Sequence, residues 1–356
     1  MARILITGGC GFIGSSLALD LTQRGHAVMV LDNLSRRGSE LILPRLLAQG
    51  VGFQHADIRN AEDVDKLKAD FNCLIECSAE PSVMSGAEGD EARYLLNVNL
   101  HGALNMFEWA RRRKVPVIFL SSSRVYPYDR LNACQFKETA TRFEFIDGCP
   151  GVSADGVSVN MPLEGVRSLY GASKLAAEFI LKEYAVQYSL PAIINRCGVV
   201  AGPWQMARAD QGIFTFWMAR HYFKIPLAYF GFGGKGHQVR DLLHVQDLAD
   251  LVARQVTALI EKPSDFPGSI YNAGGSARST LSLKETTTLC RQITGHEVPV
   301  TARITDRPLD MRWYVTDNGD TAKTFGWAPV RSPQDTLQDI FTWINTHATT
   351  LKGLLS

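Results

Sequence analysis

Several features that mark other classes of protein are missing from this sequence. No apolar run reaches membrane-spanning length without charged residues, so we expect no membrane segment. Glycines interrupt the apolar stretch at the N-terminus, so no signal peptide is expected either. The sequence also has no low-complexity tract. These absences favour a folded globular protein over a membrane, secreted or disordered one.

The sequence also has few cysteines and little net charge. The seven cysteines form no CxxC pair and have no metal-ligand spacing, which predicts reduced thiols, a cytoplasmic location and no metal site. Basic and acidic residues nearly cancel, leaving a net charge of +1. The one basic cluster, Arg111–Lys114, closes a predicted helix, where cations meet the negative end of the helix dipole. We therefore expect no nucleic-acid partner.

What the sequence does contain is a long alternation of strand-like and helix-like segments. Strand-like apolar runs occupy 4–6, 28–31, 51–53, 73–77, 117–120 and 192–195, and helix-like runs lie near 12–24, 39–48, 61–69, 90–113 and 170–188. This pattern predicts an α/β fold of the Rossmann type, a doubly wound parallel sheet with helices on both faces. With 356 residues, of which 46% are apolar, the chain has room for a smaller C-terminal substrate-binding lobe.

Beyond Arg196 the segments become shorter and glycine and proline more frequent, which sets the predicted domain boundaries. We predict a cofactor-binding Rossmann domain over 1–196, joined by 237–274, a substrate-binding lobe from 197–236 and 275–330, and a C-terminal helix over 331–356. A capping box at Ser282–Glu285 predicts the start of a helix in the lobe. The Gly-, Pro- and Ser-rich segment 147–167 is interpreted as an active-site loop, with a surface insertion as the alternative.

The first turn of the chain is its most informative motif. Gly8, Gly11 and Gly14 stand between the strand-like run 4–6 and the helix-like run that begins at Phe12. Gly8 permits a sharp turn, Gly11 a close approach of the backbone to phosphate oxygens, and Gly14 close packing of the helix on the sheet. Free N–H groups at the helix N-terminus attract an anion. The turn therefore predicts a cradle for the pyrophosphate of a dinucleotide.

The end of the second strand indicates which dinucleotide is bound. A carboxylate at Asp32 accepts hydrogen bonds from the ribose hydroxyls of the adenosine half and repels a 2′-phosphate, which favours NAD over NADP. Arg36 and Arg37 would suit a 2′-phosphate, but beside Asp32 we interpret them as loop charges or as groups near the adenine. Asp57 and Ile58 follow the third strand, where they would flank the adenine. The alternative for Asp57 is a cap for the next helix.

A second constellation indicates catalysis. Tyr170 and Lys174 are one helical turn apart and share one helix face, so we expect the ammonium to lower the pKa of the phenol and to hold the nicotinamide ribose. A catalytic role for this pair is supported by Ser122 at the end of the fifth strand, because ligands of open parallel sheets bind at that edge. The Ser122 hydroxyl is predicted to hydrogen-bond a substrate alcohol, whereas Ser121 and Ser123 alone would be ordinary strand-end serines.

Together these motifs resemble the extended short-chain dehydrogenases that act on nucleotide sugars. The resemblance runs from Ile4 to about Ile344. It is carried by the TGGCGFIG turn from Thr7, Asp32, Asn99, the SSSRVY segment from Ser121, the YGASK segment from Tyr170 and the RDLLHVQD segment from Arg240. Segments 32–36, 57–60, 210–212 and 238–241 look more narrowly like the CDP-paratose (CDP-tyvelose) 2-epimerase branch of that family.

The resemblance implies an isomerase that contains NAD. Tyr170 would take the proton of a sugar hydroxyl, Lys174 would tune it, and Ser122 would orient the alcohol. Hydride would pass to NAD and return to the other face of the keto sugar, so that a stereocentre inverts without net oxidation. Arg240 and Arg307 would bind the diphosphate of the sugar nucleotide in a bidentate way. Alternatively, each arginine pairs with its neighbouring acid.

The resemblance also assigns contacts and partners. The expected cofactor-binding residues are Gly8, Gly11, Phe12, Ile13, Gly14, Asp32, Asn33, Ser35, Arg36, Asp57, Ile58, Ala79, Asn99, Tyr170 and Lys174. The expected substrate-binding residues are Ser122, Ser123, Gln211, Arg240 and Arg307. The substrate would be a CDP- or UDP-linked sugar. The protein would be a homodimer or homotetramer, in which the helices near 90–113 and 170–188 pair.

Some positions depart from the family pattern. The sugar 4,6-dehydratases carry Asp-Glu after the active-site hydroxyl, where this chain has Ser123 and Arg124, so dehydration is disfavoured. Pro127 replaces a usual glycine, and Glu76 replaces a usual histidine. The leading hypothesis is inversion at C2 of a CDP-hexose, and the alternative is a UDP-sugar 4-epimerase. A third hypothesis, a dinucleotide sensor without turnover, is disfavoured by the retained catalytic residues.

Overall fold

Parallel strands form the central layer of the fold. The computed structural model describes residues 1–67, 70–86 and 91–355. Its strands are β1 (Arg3–Thr7), β2 (Ala27–Asp32), β3 (Gly52–His55), β4 (Cys73–Glu76), β5 (Val117–Ser122), β6 (Gln135–Glu138), β7 (Phe143–Asp147), β8 (Val152–Ser153), β9 (Gly156–Val157), β10 (Ala192–Cys197), β11 (Val199–Ala201), β12 (Leu227–Phe230), β13 (Val239–His244), β14 (Pro267–Ala273), β15 (Thr280–Ser282), β16 (Val300–Arg303) and β17 (Trp313–Tyr314). The central sheet has the order β14-β10-β5-β4-β1-β2-β3, and its neighbours pair in parallel. The order reverses between β1 and β4, which opens a ligand crevice at their C-terminal ends.

Helices cover both faces of this sheet. They are α1 (Phe12–Gln23), α2 (Ser39–Leu47), α3 (Ala61–Asp65), α4 (Glu91–Leu96), α5 (Ala103–Arg113), α6 (Tyr128–Ala133), α7 (Leu169–Gln187), α8 (Ile213–Tyr222), α9 (Val245–Glu261), α10 (Leu283–Thr294), α11 (Gly319–Phe325), α12 (Pro333–Thr346) and α13 (Ala348–Leu355). Because side chains alternate along a strand, Ile4 and Ile6 of β1 share a core with α1 and α9, whereas Leu5 shares one with α5 and α7. The predicted Rossmann-type α/β fold is confirmed.

The predicted elements of the first half form with small differences. The helix predicted over 61–69 ends at Asp65, and its positions 68–69 lie outside the described residues. Position 90 of the helix predicted over 90–113 also lies outside them, and the rest contains a π-helical turn at Asn97–Gly102 between α4 and α5. In the described ranges, no helix is both long enough and apolar enough to cross a membrane.

The second lobe has a sheet and a core of its own. Strand β13 pairs with β11, β15 and β17, while β12 pairs with β16. Helices α8, α10 and α12 pack around Trp217, Leu337 and Ile340. Within the return segment 237–274, α9 and β14 join the central layers but β13 belongs to the second sheet. The C-terminal segment is two helices, α12 and α13, rather than the one predicted, and His347 lies at the break.

The prediction that all cysteines are reduced thiols is wrong for two of them. Cys134 and Cys149 form a disulfide, with their Cα atoms 5.4 Å apart. The sequence alone does not predict this pairing, because it depends on the β6–β7 hairpin, which brings Cys149 back to the end of α6. The other cysteines are free: Cys10, Cys73, Cys77, Cys197 and Cys290.

Helix α7 docks closely on the end of β5. Gly171 packs against the backbone carbonyl of Arg124, where a Cβ atom would overlap the carbonyl oxygen. One turn further on, the Lys174 Nζ donates to the Leu120 carbonyl oxygen at 3.1 Å. These contacts fix the start of α7, and therefore Tyr170, relative to the last residues of β5.

A buried ionic network continues this contact. The Glu178 carboxylate of α7 pairs with Arg196 of β10, with Nη2 and Oε2 2.8 Å apart, and the two side chains are 1% and 3% exposed, respectively. The Ser121 hydroxyl of β5 donates to the same carboxylate at 2.5 Å, and Arg196 also donates to the Tyr126 hydroxyl at 3.3 Å. Such partners are what make a buried carboxylate tolerable. The network joins α7, β5 and β10 next to Ser122.

We expect Glu178→Gln to lower the free energy of unfolding by about 3 to 5 kcal/mol, because it leaves the Arg196 cation buried without its counter-charge. Urea denaturation measures the loss. Glu183→Gln, on the exposed side of the same helix, is the matched control and should change stability by less than about 0.5 kcal/mol. Equal effects of the two substitutions would contradict a structural role for the buried pair.

Candidate active site

The glycine turn opens at the C-terminal end of β1. Gly8 has a φ of +60°, and a Cβ on it would lie 2.9 Å from the Ser78 Cα. A Cβ on Gly14 would collide with the Gly8 carbonyl oxygen. Helix α1 begins at Phe12, and no side chain caps its N-terminus. The turn thus presents an open helix end, and its cavity-lining residues are Gly8, Gly11, Phe12, Ile13 and Gly14.

Asp32 ends β2 beside this turn. Its Oδ2 accepts from the Cys10 N–H at 2.9 Å and its Oδ1 from the Leu34 N–H at 2.8 Å. Burial raises the pKa of Asp32, and the two backbone hydrogen bonds oppose that effect. Each oxygen keeps a lone pair for a hydroxyl donor. A dinucleotide with free ribose hydroxyls fits this arrangement. The helix end is open, the turn has no room for Cβ atoms, and the carboxylate acts only as an acceptor.

The other residues expected near the adenosine form a connected turn. The Asn33 Nδ2 donates to the Asp57 Oδ2 at 2.9 Å, and the Asn33 Oδ1 accepts from the N–H and the hydroxyl of Ser35. The hydrogen bond from Arg59 lowers the pKa of Asp57 to about 2, so this carboxylate is ionised. Asp57 does not cap α3, because the Asn60 side chain does so.

Two expected cofactor residues support the walls of the cavity from behind. Asn99 is fully buried, accepts from the Glu80 N–H at 2.8 Å and donates to the Glu80 carbonyl oxygen at 3.0 Å. It thereby holds the loop whose Ala79 lines the cavity. Ile58 is buried in the core against Gly102. Neither Asn99 nor Ile58 lines the cavity itself.

Arg36 reaches across the mouth of the cavity. It donates to the Gln211 Oε1 of the second lobe, and both residues line the cavity. Next to this contact the Ser82 hydroxyl donates to the Asp210 Oδ2 at 2.5 Å. A residue expected on the cofactor side and one expected on the substrate side are therefore in direct contact.

Ser122, Tyr170 and Lys174 meet at the end of β5. The Ser122 hydroxyl lies close enough to the Tyr170 phenol to lower its pKa, and it accepts from the Arg124 N–H at 3.1 Å. The Lys174 ammonium lies 4.7 Å from the centre of the Phe119 ring. All three predicted catalytic residues line the same cavity as the glycine turn. A hydroxyl, a phenol and an ammonium thus face the space beside a dinucleotide cradle.

The pKa values differ from the sequence prediction. Burial raises the pKa of Tyr170, and the hydrogen bond from its serine neighbour and the charge of Arg124 offset only part of that rise. Burial lowers the pKa of Lys174, while the charge of Glu76 opposes that effect. Although a lowered pKa was expected, the pKa of the phenol lies above its ordinary value because burial outweighs the nearby charges. The lysine is anchored to the backbone of β5, and Arg124 is the cation that favours the phenolate.

Glu76 lies buried behind the catalytic residues, where the family pattern has a histidine. It is in register with Thr7 of β1 and Phe119 of β5, so the three side chains share the sheet face that α7 covers. Its carboxylate accepts from the Thr7 hydroxyl at 2.6 Å and from the Ser78 N–H at 2.9 Å. Burial raises the pKa of Glu76 to about 7, although these hydrogen bonds and the Lys174 charge act in the opposite direction.

The two predicted phosphate-binding arginines do not pair with their sequence neighbours. Arg240 binds Asp310, with Nη2 and Oδ1 2.6 Å apart, while the adjacent Asp241 accepts backbone N–H donors elsewhere. Arg307 donates to a backbone carbonyl, and the adjacent Asp306 accepts from another backbone N–H. The alternative of neighbouring acid pairs is therefore excluded for both arginines.

Two adjoining cavities make up the site. The catalytic cavity has a volume of about 370 Å³ and is lined by the glycine turn, the catalytic residues, Ser123, Gln211 and Arg240. The second cavity, of about 380 Å³, lies in the smaller lobe and has an aromatic wall of Phe216, Trp217 and Phe230. Gln238, Arg307 and Asp310 line both. An apolar chamber joined to a catalytic one through charged residues suits an elongated ligand with an aromatic end.

The interpretation of segment 147–167 as an active-site loop is wrong. None of its residues lines either cavity. The segment contains the short hairpin of β8 and β9, and Val157 and Met161 pack into a separate apolar cluster. Its glycines serve this hairpin, since Gly151 and Gly156 both have positive φ and lie against neighbouring backbone.

The lining residues that were not predicted from the sequence include Arg124, Gln238 and Asp310. In the sequence, Arg124 stands out only because it replaces an acid of the sugar 4,6-dehydratases, although it directly follows the predicted serine segment. Gln238 alternates with Arg240 at the start of β13, which is a usable signal. Asp310 has no such signal, because only the fold brings it to Arg240.

Comparison with known proteins agrees with this geometry. Residues 4–274 match the model of the NAD dependent epimerase/dehydratase family. The CDP-paratose 2-epimerase of Salmonella typhi is 30% identical over 97% of this chain and 99% of its own length. The UDP-glucose 4-epimerase of Neisseria meningitidis is 27% identical over 98% of each chain. The crystal structure of Thermus thermophilus UDP-glucose 4-epimerase with NAD superposes with a TM-score of 0.75 at 26% identity, covering 96% of this chain and 99% of that one.

The fold and site define an enzyme that uses NAD on a nucleotide-activated sugar. The chain belongs to the NAD dependent epimerase/dehydratase family, the extended short-chain dehydrogenases recognised from its motifs. NAD is the cofactor, as predicted from Asp32 and the glycine turn.

We expect the stability cost of Glu76→Gln to shrink as the pH rises from 5 to 8. With its pKa raised to about 7, wild-type Glu76 keeps a proton in the folded state that the unfolded chain releases, so wild-type stability falls as the pH rises through this range. Glutamine has no such proton, so the substitution removes this loss. Urea denaturation at both pH values measures the difference, and the exposed Glu62→Gln is the control. A pH-independent cost would contradict the raised pKa.

Proposed function

We propose that this chain is an NAD-dependent nucleotide-sugar epimerase that inverts C2 of a CDP-hexose such as CDP-paratose. The observation that carries the proposal is the Tyr170–Ser122 pair at the end of β5, beside the glycine turn and followed by residues other than the acids of a dehydratase. Bound NAD supplies reversible hydride acceptance, which allows a carbon to be oxidised and reduced again on its other face.

The chain's own residues would handle the proton and the orientation of the sugar. The Tyr170 phenolate would take the proton of the reacting hydroxyl and return it at the end. The Ser122 hydroxyl, which lies near the Tyr170 phenol in the same cavity, would hold the sugar oxygen between them. The charge of Arg124 would stabilise the phenolate. Lys174, anchored to β5, lies on the same helix face for the nicotinamide ribose.

Dehydration fits the cavity poorly. Elimination of water needs an acid and a base beside the reacting hydroxyl, but the residues after Ser122 are a serine and an arginine. The cavity-lining Asp310 is bound by Arg240. The proposal therefore excludes the dehydratase half of the family's chemistry.

The nucleotide would extend from the catalytic cavity into the second one. Arg240 and Arg307 would bind the diphosphate. Both line the catalytic cavity and neither pairs with the acid next to it in sequence, although Arg240 also binds Asp310. The base would lie against the aromatic wall, where the Arg307 guanidinium is 5.3 Å from the centre of the Phe230 ring. Gln211, joined to Arg36, would close the site over the ligand.

The choice of C2 and of cytidine is supported by the Salmonella typhi CDP-paratose 2-epimerase, which matches nearly the whole chain. The alternative is a UDP-sugar 4-epimerase, supported by the Neisseria meningitidis relative. Both reactions require the same three catalytic residues and differ in how the sugar is seated. A sensor without turnover would not need the Ser122–Tyr170 contact.

Incubation of the protein with CDP- and UDP-hexoses in D₂O, followed by NMR, tests the proposal. We expect a product inverted at C2 of a CDP-hexose, with protium kept at the inverted carbon because hydride transfer does not exchange with solvent. Tyr170→Phe should lower the rate roughly 10²- to 10⁴-fold while the protein still purifies with NAD.

A product altered only at C4 would replace the proposal with the 4-epimerase. Deuterium at the inverted carbon would contradict the redox route. Full activity of Tyr170→Phe would remove the proposed base, and a complete lack of turnover by wild-type protein with NAD bound would favour the sensor.

We also propose that the protein is a homodimer, or a homotetramer built from such dimers, through α4, α5 and α7. These helices pack side by side, and their outer surface carries exposed apolar side chains. Phe179 is 54% exposed, Val186 70% and Tyr94 40%. Exposed apolar patches of this kind mark interaction surfaces.

Phe179→Glu should shift the protein toward a 39.3 kDa monomer, because it places charge in the centre of the proposed interface. Light scattering after size-exclusion chromatography measures the mass. Val330→Glu is the control, since Val330 is 80% exposed and lies far along the chain from these helices. A wild-type protein that already elutes as a monomer would refute the interface.

A further inference from the structure

Arg124 is a cation at the reacting end of the catalytic cavity. It follows Ser122 by two residues, in a 3-10 turn over Ser123–Val125. Its guanidinium donates through Nη1 to the Leu309 carbonyl oxygen at 3.1 Å, and the side chain lines the cavity. In the proposed reaction its charge acts on Tyr170, but its remaining N–H donors have no assigned partner in the substrate.

Arg124 also lacks a counter-ion of its own. Within the described ranges, no carboxylate forms an ion pair with it; Asp310, whose charge acts on it, is bound by Arg240 at 2.6 Å. Burial and the nearby Arg240 lower the pKa of Arg124 to about 10, which leaves it charged at neutral pH. A half-buried guanidinium without a carboxylate partner favours the binding of an anion.

The charged residues follow an order from the catalytic residues to the aromatic chamber. Arg124 and Arg240 line only the catalytic cavity, whereas Arg307 and Asp310 line both cavities. Arg124 lies next to Ser122 and acts on Tyr170, so it is the member of this group at the reacting end.

We propose that Arg124 binds the sugar-proximal phosphate of the nucleotide sugar and thereby seats C2, rather than C4, beside Tyr170. The proposal rests on the proposed function and adds a residue that determines the position of inversion. A planar guanidinium binds two phosphate oxygens at once, which fixes orientation as well as distance.

The bonding within the sugar determines which carbon a phosphate contact with Arg124 would bring to Tyr170. C2 is bonded directly to C1, the carbon that carries the diphosphate, whereas C4 lies across the ring. A phosphate held at the Arg124 guanidinium, next to Ser122 and Tyr170, therefore brings C1 and its neighbour C2 to the reacting position. C4 would reach that position only with the phosphate moved away, toward Arg307.

Calorimetric titration of the NAD-containing protein with CMP and CDP tests the contact, because only CDP carries the phosphate in question. We expect Arg124→Met to weaken CDP binding about 10- to 100-fold, as for loss of a charged hydrogen-bonded contact, and to leave CMP binding within about twofold. Arg124→Lys, which keeps the charge without the planar fork, should fall between wild type and Arg124→Met. Exposed Arg278→Met should change neither ligand. If wild-type protein prefers uridine nucleotides, UMP and UDP are the pair.

Unchanged CDP binding by Arg124→Met would overturn this proposal alone, and a loss confined to the intact CDP-sugar would assign Arg124 to the sugar instead. Equal weakening of CMP and CDP would also overturn it, since that indicates a general disturbance of the site. C4 inversion by wild-type protein would overturn the proposed function together with the seating argument. Those two failures are separable because nucleotide binding and product position are read independently.

Discussion

The docking of α7 on the end of β5 is the interaction on which the active site depends. Gly171 leaves room for the Arg124 carbonyl oxygen, which a Cβ atom would overlap. Lys174 donates to the Leu120 carbonyl, and Glu178 accepts from the Ser121 hydroxyl. These three positions follow one another at helical spacing, so a single stripe of α7 faces β5. This stripe brings Tyr170 and Ser122 to the same cavity.

The two halves of the site are built in different ways. The cofactor half comes from short segments at the ends of neighbouring parallel strands, so each residue is placed by local geometry and strand register. The substrate half is assembled from β5, β13 and the segment around Asp310, which are far apart in sequence. Asp310 pairs with Arg240, whereas Arg124 and Arg307 have no carboxylate partner among the described residues.

This division accounts for the breadth of the family's chemistry. With a hydroxyl, a phenol and an ammonium beside it, bound NAD can oxidise whichever sugar carbon is brought to it. Two features then select the reaction. One is the identity of the residues after Ser122, and the other is the distance from the catalytic residues to the phosphate-binding cations. Here an arginine takes the place of a dehydratase acid, which removes a proton donor or acceptor and adds a site for phosphate.

The sequence by itself determined the features that depend on near neighbours along the chain. Strand and helix periodicity, the glycine turn with Asp32, and the Tyr170–Lys174 spacing are local, and the strands and the sheet formed as those patterns predict. Which distant groups meet depends on the folded chain. The Cys134–Cys149 disulfide, the Arg240–Asp310 pair and the raised pKa of Tyr170 depend on burial and on chain segments brought together by folding. No spacing rule encodes such pairs, because their partners are set by packing in three dimensions rather than by separation in the sequence.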